Sequence, residues 1–93
     1  MTPVRLTPGA AHDLARLEAF LANKSERAAL ATTDALLSAV RSLRDFPERG
    51  RSGNGPRRRE LVVRHGQNGY VIRYRVTPGA VIVTRIFHGR ERR

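Results

Sequence analysis

The chain has no cysteine, and aromatic residues make up only 5% of its 93 positions. Without cysteine there is neither a disulfide framework nor a thiolate metal site, which suits a reducing compartment. No apolar run approaches the roughly 20 residues of a membrane-spanning helix, and the N-terminus lacks a signal-peptide pattern. A soluble, cytoplasmic protein with no membrane partner is therefore expected. Acid is also scarce: 8 Asp and Glu stand against 18 Lys and Arg, for a formal net charge of +10. Every basic residue except Lys24 is arginine. An arginine-rich genome and solvated faces account for exposed runs of such charge. They account less well for arginines inside strands, which must be paired or must line a working surface. The excess points to an anionic partner, either nucleic acid or an acidic protein.

Those strands dominate the second half. Arg58 to His65, Tyr70 to Val76 and Val81 to His88 each carry the residues of a β-strand. They are joined by Gly66-Gln67-Asn68-Gly69 and Thr77-Pro78-Gly79-Ala80, short enough for antiparallel hairpins. Pairing Thr77 with Ala80 sets Val76 against Val81, Tyr74 against Val83 and Tyr70 against Phe87 on one side, with Ile72 between them. A two-residue turn at Gln67-Asn68 or at Asn68-Gly69 adds Leu61 and Val63 to that side. This is the expected core face, with Arg85 intruding near its edge. The opposite face takes Glu60, Val62, Arg64, Val71, Arg73, Arg75, Ile82, Thr84 and Ile86. A one-residue bulge at Pro78-Gly79 would flip the last strand.

The first half reads as a cover for this sheet. Pro3 to Leu6 is β-like and is expected to join the sheet. Thr7 can cap a helix that runs from Pro8 to about Asn23, with proline where a missing N–H costs nothing. Leu14, Leu17 and Leu21, flanked by Ala10 and Phe20, form its apolar stripe, and Asp13, Arg16 and Glu18 fall outside it. Ser25 can cap a second helix running to about Asp45, with Glu26 in its first turn. Its apolar face is Ala29, Leu36, Leu37, Val40 and Leu43. The short break makes an antiparallel helix hairpin. The expected fold is α+β: one domain over 1–93, order β-α-α-β-β-β, the helix hairpin on one face of an antiparallel sheet.

Phe46-Pro47 ends the second helix, and Glu48 to Pro56 reads as a flexible glycine-rich connector. It lacks the GxxxxGK[ST] pattern of a phosphate cradle. Arg57-Arg58-Arg59 follows, as an edge guard or a binding patch. His12 on a helix and His65 beside a turn have no carboxylate or histidine neighbours at metal-ligand spacing, so no metal site is expected, and no cofactor is expected either. Tyr70, Tyr74 and Phe87 read as core, which argues against stacking on single-stranded bases. The tail from Gly89 to Arg93 is expected to be ordered by a partner.

AHDLARLEAFL in the first helix, FPERGR after the second, RRELVVRHGQNGYVIRYRV and the ending VTRIFHGRERR occur in an order and spacing that resembles the RelE/ParE family of type II toxin–antitoxin toxins. The resemblance implies a growth-inhibiting, cytoplasmic bacterial toxin held in a hetero-oligomer by a cognate antitoxin whose acidic or amphipathic segment wraps it. It also implies one of two targets: DNA gyrase for ParE-like members, or mRNA on the ribosome for RelE-like ones. An RNA-cleaving member needs proton carriers and phosphate clamps. The candidates are Glu48 and His88 for the first role, and Arg59, Arg73, Arg75 and Arg85 for the second. RelE-like nucleases usually carry an arginine three residues before the middle-strand tyrosine, where this chain has Val71. The C-terminal tyrosine of several such nucleases is also missing, since Gly89 follows His88. RIFHGRER looks more like a ParE-type ending, so a gyrase inhibitor without a catalytic group is the expectation. The mRNA endonuclease and a plain nucleic-acid-binding module are the alternatives. Target- or antitoxin-binding candidates are Arg57, Arg58, Arg59, Arg64, Arg73, Arg75, His88 and Arg90.

Overall fold

The computed structural model describes residues 2–91. Its elements are β1 (Val4–Leu6), α1 (Pro8–Ala22), α2 (Glu26–Ser42), β2 (Arg51–Ser52), β3 (Arg58–His65), β4 (Asn68–Val76) and β5 (Val81–His88). They form a five-stranded sheet in the order β1-β5-β4-β3-β2. The helix hairpin covers one side of it. The N-terminal strand pairs with β5 in parallel, Val4 against Val81, so the sheet is mixed rather than antiparallel throughout. The α1–α2 hairpin between β1 and the meander is what returns the chain in the same direction.

Both helix starts follow the sequence. Thr7 Oγ1 accepts the Ala10 N–H at 3.1 Å, and Ser25 Oγ accepts the Ala28 N–H at 3.1 Å. The second helix stops at Ser42, short of the expected Asp45. There Ser42 Oγ donates to the Ala39 carbonyl at 2.6 Å, and the next amides bond back three residues, Leu43 N–H to the Val40 carbonyl and Arg44 N–H to that of Arg41. The α-helix tightens into turns while Leu43 stays buried, so the apolar periodicity outlasts the helix.

Ile72, Tyr70, Tyr74, Leu61, Val81 and Val83 face the helices and pack against Ala10, Leu17, Leu36, Ala39, Val40 and Leu43. The β3–β4 loop is Gly66-Gln67, with His65 opposite Asn68. It lies earlier than either turn expected, because the positive φ of 62° falls on Gly66 at the first central position. Moving a two-residue loop by one position shifts the pairing by two, so Leu61 and Val63 keep the expected face.

The last strand departs further. Val76 opposes Val81 and Tyr74 opposes Val83 as expected, but an irregularity between Arg73 and Tyr74 resets the register. Arg73 then opposes Arg85, Ile72 opposes Ile86, and Tyr70 opposes His88 rather than Phe87. The extra residue is Thr84, whose hydroxyl donates to the Arg73 carbonyl at 3.1 Å. The bulge therefore lies inside the strand and not at Pro78-Gly79. It brings Ile86 into the core, where it is fully buried, and sends Phe87 to the opposite face, the reverse of what unbroken alternation predicts.

Asp13 is a second departure: it is 3% exposed, although it falls outside the apolar stripe. β1 covers β5 only as far as Val83, so among the described residues the rest of that edge has no strand partner. The Asp13 carboxylate takes its place, accepting the Ile86 N–H at 2.9 Å and Arg85 Nε and Nη2 at 2.7 and 3.1 Å. The connector over 48–56 is likewise built: β2 pairs with Glu60 and Arg59, and the Gly53 N–H donates to the Arg58 carbonyl at 2.7 Å.

Candidate functional site

Strand alternation sends Arg58, Glu60, Val62 and Arg64 of β3, and Val71, Arg73 and Arg75 of β4, to the face away from the helices. Arg51 of β2 joins them opposite Glu60. Glu60 is the acid in this group, and it is committed. Its carboxylate lies 3.0 Å from Arg73 Nε and 3.5 Å from Arg51 Nη2. Arg73 also stacks on the Phe87 ring, 5.1 Å from its centroid. The bulge makes that contact, and a guanidinium held by a ring and a carboxylate is pre-set in one orientation. Arg58 and Arg75 oppose each other directly across the ladder. With Arg64 they are exposed and have no acidic partner among the described residues.

The remaining candidates lie elsewhere. Arg85 is spent on Asp13. Burial alone would raise the Asp13 pKa, but the Arg85 and Ile86 hydrogen bonds, with the charges of Arg85 and Arg16, hold it below the ordinary 3.8. Its hydrogen bond from Arg85 raises the pKa of that guanidinium in turn. His88 opposes Tyr70, on the helix side, with its ring edge-on to the tyrosine at 5.3 Å. Its Nε2 lies 3.2 Å from Asn68 Oδ1, and Nδ1 accepts the Arg90 N–H at 3.0 Å. Here α1 and the ends of β4 and β5 enclose a groove of about 700 Å³, floored by Leu17 and Tyr70 and rimmed by Phe20, Lys24 and Arg90. Phe20, expected to flank the core stripe, is 58% exposed there. Glu91 holds the tail across this end, 3.1 Å from Arg16 Nη2. Residues 89–91 of the tail are thus folded back on the body, and Arg92 and Arg93 lie outside the described residues.

Arg59 and Glu48 belong to a third region. Arg59 Nη1 donates to the Gly50 carbonyl at 2.7 Å and the Glu48 carbonyl at 3.3 Å, and Nη2 is 3.8 Å from the Glu48 carboxylate. The Gly50 N–H donates to the Tyr74 hydroxyl at 2.8 Å, and that hydroxyl donates to the Pro47 carbonyl at 2.8 Å. Burial raises the Tyr74 pKa, partly opposed by the Gly50 hydrogen bond, so the phenol stays protonated and can donate. A Cβ on Gly50 would come within 2.7 Å of both the Glu60 carbonyl oxygen and the Tyr74 hydroxyl. Gly50→Ala is therefore expected to cost about 2 kcal/mol by expelling this loop from the sheet, read as a fall in Tm. An unchanged Tm would show that the loop is not clamped. Arg57, at φ 61°, is exposed at the end of the same connector.

The six residues named for RNA cleavage are thus split. Arg73 and Arg75 lie on the outer face, Arg85 on Asp13, His88 on the helix side, and Arg59 beside Glu48 at the loop. His65 shares the parity of Leu61 and Val63, and His12 is on α1, so the outer face carries no histidine. Among the described residues no group of His, Cys, Asp and Glu could hold a metal ion. Among the described residues no helix is long and apolar enough to cross a membrane. Glu60, Phe87 and Asp13 were missed as functional or pairing residues. A lone acid inside RRRELVVR was the available signal for the first; the other two depend on the bulge and on the end of β1.

Residues 4–93 match the family described as the ParE toxin of the type II toxin-antitoxin system, parDE. The chain belongs to the RelE/ParE family of toxins. The toxin named RelE3 of Caulobacter vibrioides is 41% identical over 93 residues, covering all of both chains. RelE1 of the same organism is 45% identical over 84 residues, covering 90% of this toxin and 89% of that one. Among solved structures, the chromosomal ParDE system from P. aeruginosa superposes with a TM-score of 0.77 at 21% identity, over 95% of this chain and 96% of that one, a likeness of fold. The protein is the toxin component of a type II toxin–antitoxin module, and its partner is an antitoxin.

Proposed function

We propose that this toxin acts in the cytoplasm as an inhibitor of DNA gyrase, engaging the gyrase–DNA complex through its outer arginine face without a catalytic group of its own, until an antitoxin blocks it. One observation carries the reading. The outer face offers unpaired guanidinium groups but no histidine, and its one well-placed carboxylate, on Glu60, is already bridged to Arg73 and Arg51. Such a surface can bind and orient charge, whereas acid–base cleavage of RNA needs a proton carrier within reach of the same phosphate. Glu48 and His88 do not supply this, one lying at the connector beside Arg59 and the other on the helix side, and the clamp candidate Arg85 is engaged by Asp13.

The RelE name of the two Caulobacter relatives supports a second reading, mRNA cleavage on the ribosome. The two separate in one pair of assays on purified toxin. Gyrase inhibition predicts loss of supercoiling with accumulation of cleaved DNA as toxin is titrated against gyrase. Intact, normally supercoiled DNA throughout, with truncated mRNA from translating ribosomes, would replace it with the second reading.

A further inference from the structure

The Arg58–Arg75 pair has no evident structural purpose. Like charges directly opposite on neighbouring strands destabilise a sheet, and sheets usually place an acid there. This chain does so one pair further on, where Glu60 opposes Arg73. At Arg58–Arg75 the second positive charge is kept. Arg58 is also held in place: the connector turns over its stem, with Gly55 at φ 100° so close that a Cβ there would lie 3.2 Å from Arg58 Cδ. The pair, with Arg73 and Thr84, lines a cleft of about 140 Å³. A second cleft, of about 210 Å³, is lined by Arg58, Arg59 and Arg73 with Gly53 and Asn54, and by Glu60, whose carboxylate is already bridged to Arg73 and Arg51.

We infer that the first cleft is a phosphate site, and that the two clefts together take consecutive phosphates of a nucleic-acid backbone. Two guanidinium groups lining one cleft relieve their mutual repulsion by sharing a phosphate, and each can bind its oxygens in a bidentate manner. The Thr84 hydroxyl beside them already donates to the Arg73 carbonyl, so the guanidinium groups carry the contact. Adjoining clefts with shared arginine walls fit a polymer whose charges recur at short intervals, as in a nucleic-acid strand. They fit a free phosphate ion less well, since it would use one cleft only. No base-reading group is involved, so the contact fixes position rather than sequence. This rests on the outer face being the working surface. It names DNA, not only protein, as what that face touches.

The test uses the full-length toxin and a short fluorescent oligonucleotide, single- and double-stranded, with no gyrase present, and follows anisotropy against salt. Arg58→Gln and Arg75→Gln are each expected to weaken binding about tenfold and to lower the slope of log K against log salt by about one. The double variant should lose less than the product of the two single losses, because both residues grip one phosphate. Arg27→Gln on α2 removes the same charge elsewhere and is the reference. Arg75→Lys, which keeps the charge but not the fork, should fall between. Inorganic phosphate should raise the wild-type Tm, and neither glutamine variant should melt below wild type in phosphate-free buffer. Equal losses for Arg27→Gln and the two glutamine variants would overturn the inference. So would tighter binding of a polyglutamate peptide of matched charge. A toxin that fails to inhibit gyrase but shows the pair-dependent DNA affinity would keep this inference and discard the proposed target.

Discussion

Asp13→Ala is expected to cost about 3 kcal/mol of stability, which for a domain of this size is a fall in Tm of about 15 °C. The carboxylate fills three bonds at once: the Ile86 N–H and two donors of Arg85. Ile86 N–H is buried at a strand edge that β1 is too short to cover, so removing its acceptor leaves an unsatisfied donor. Arg85 is partly exposed and regains water, which keeps the loss below that of a fully buried ion pair. Asp13→Asn should cost less, because an amide oxygen can still accept from Ile86 while the ion pair is gone. The loss is read by thermal unfolding, and a Tm for Asp13→Ala within about 3 °C of wild type would show that the β5 edge does not depend on this residue.

The same group sets an acid limit. Its folded-state pKa lies below the ordinary value of 3.8, so above that value folding gains the full benefit of the ionised carboxylate. As pH falls below about 4, the unfolded chain takes up the proton first and the benefit shrinks until the folded-state pKa is passed. Melts of wild type and Asp13→Ala are therefore expected to converge as pH drops below this value. A constant gap would place the effect of Asp13 in packing alone.

How far these features could be read in advance follows from their range along the chain. Thr7 and Ser25 announce helix starts because a cap is satisfied within three residues. Ile72 and Tyr74 announce the core face because β4 is the central strand of the meander and alternates without interruption. Nothing in VTRIFH marks Thr84 as an extra residue. The bulge is held by the Arg73 carbonyl on the neighbouring strand and, beyond it, by Asp13 from α1. Both are long-range contacts, and one inserted residue exchanges Ile86 for Phe87 and carries His88 to the helix side. β2 was hidden for the opposite reason: ERGRSGNGP has no apolar alternation, and its pairing is made by backbone bonds and an arginine–glutamate contact. The arginines of the outer face were legible as a group. Which of them are neutralised was not, because the ladder register alone decides that Glu60 serves Arg73 and leaves Arg58 facing Arg75.

That register makes Arg75→Glu the most discriminating change on the surface. It converts the like-charge pair opposite Arg58 into an opposite-charge pair, a gain of about 0.5 kcal/mol relative to neutral partners, and it also removes the existing repulsion. The fold should therefore be kept, with a Tm equal to or slightly above that of wild type. The working face meanwhile loses a free guanidinium and gains a carboxylate that occupies the second. If the outer face meets the anionic target, growth arrest on induction should disappear, and colony counts should return to those of an empty-vector control. A destabilised variant that loses toxicity is uninformative in most proteins; here the expected direction of the two readouts is opposite. Toxicity retained together with a raised Tm would move the working surface off the outer face, and the groove beside Phe20 and His88 would then be the region to mutate.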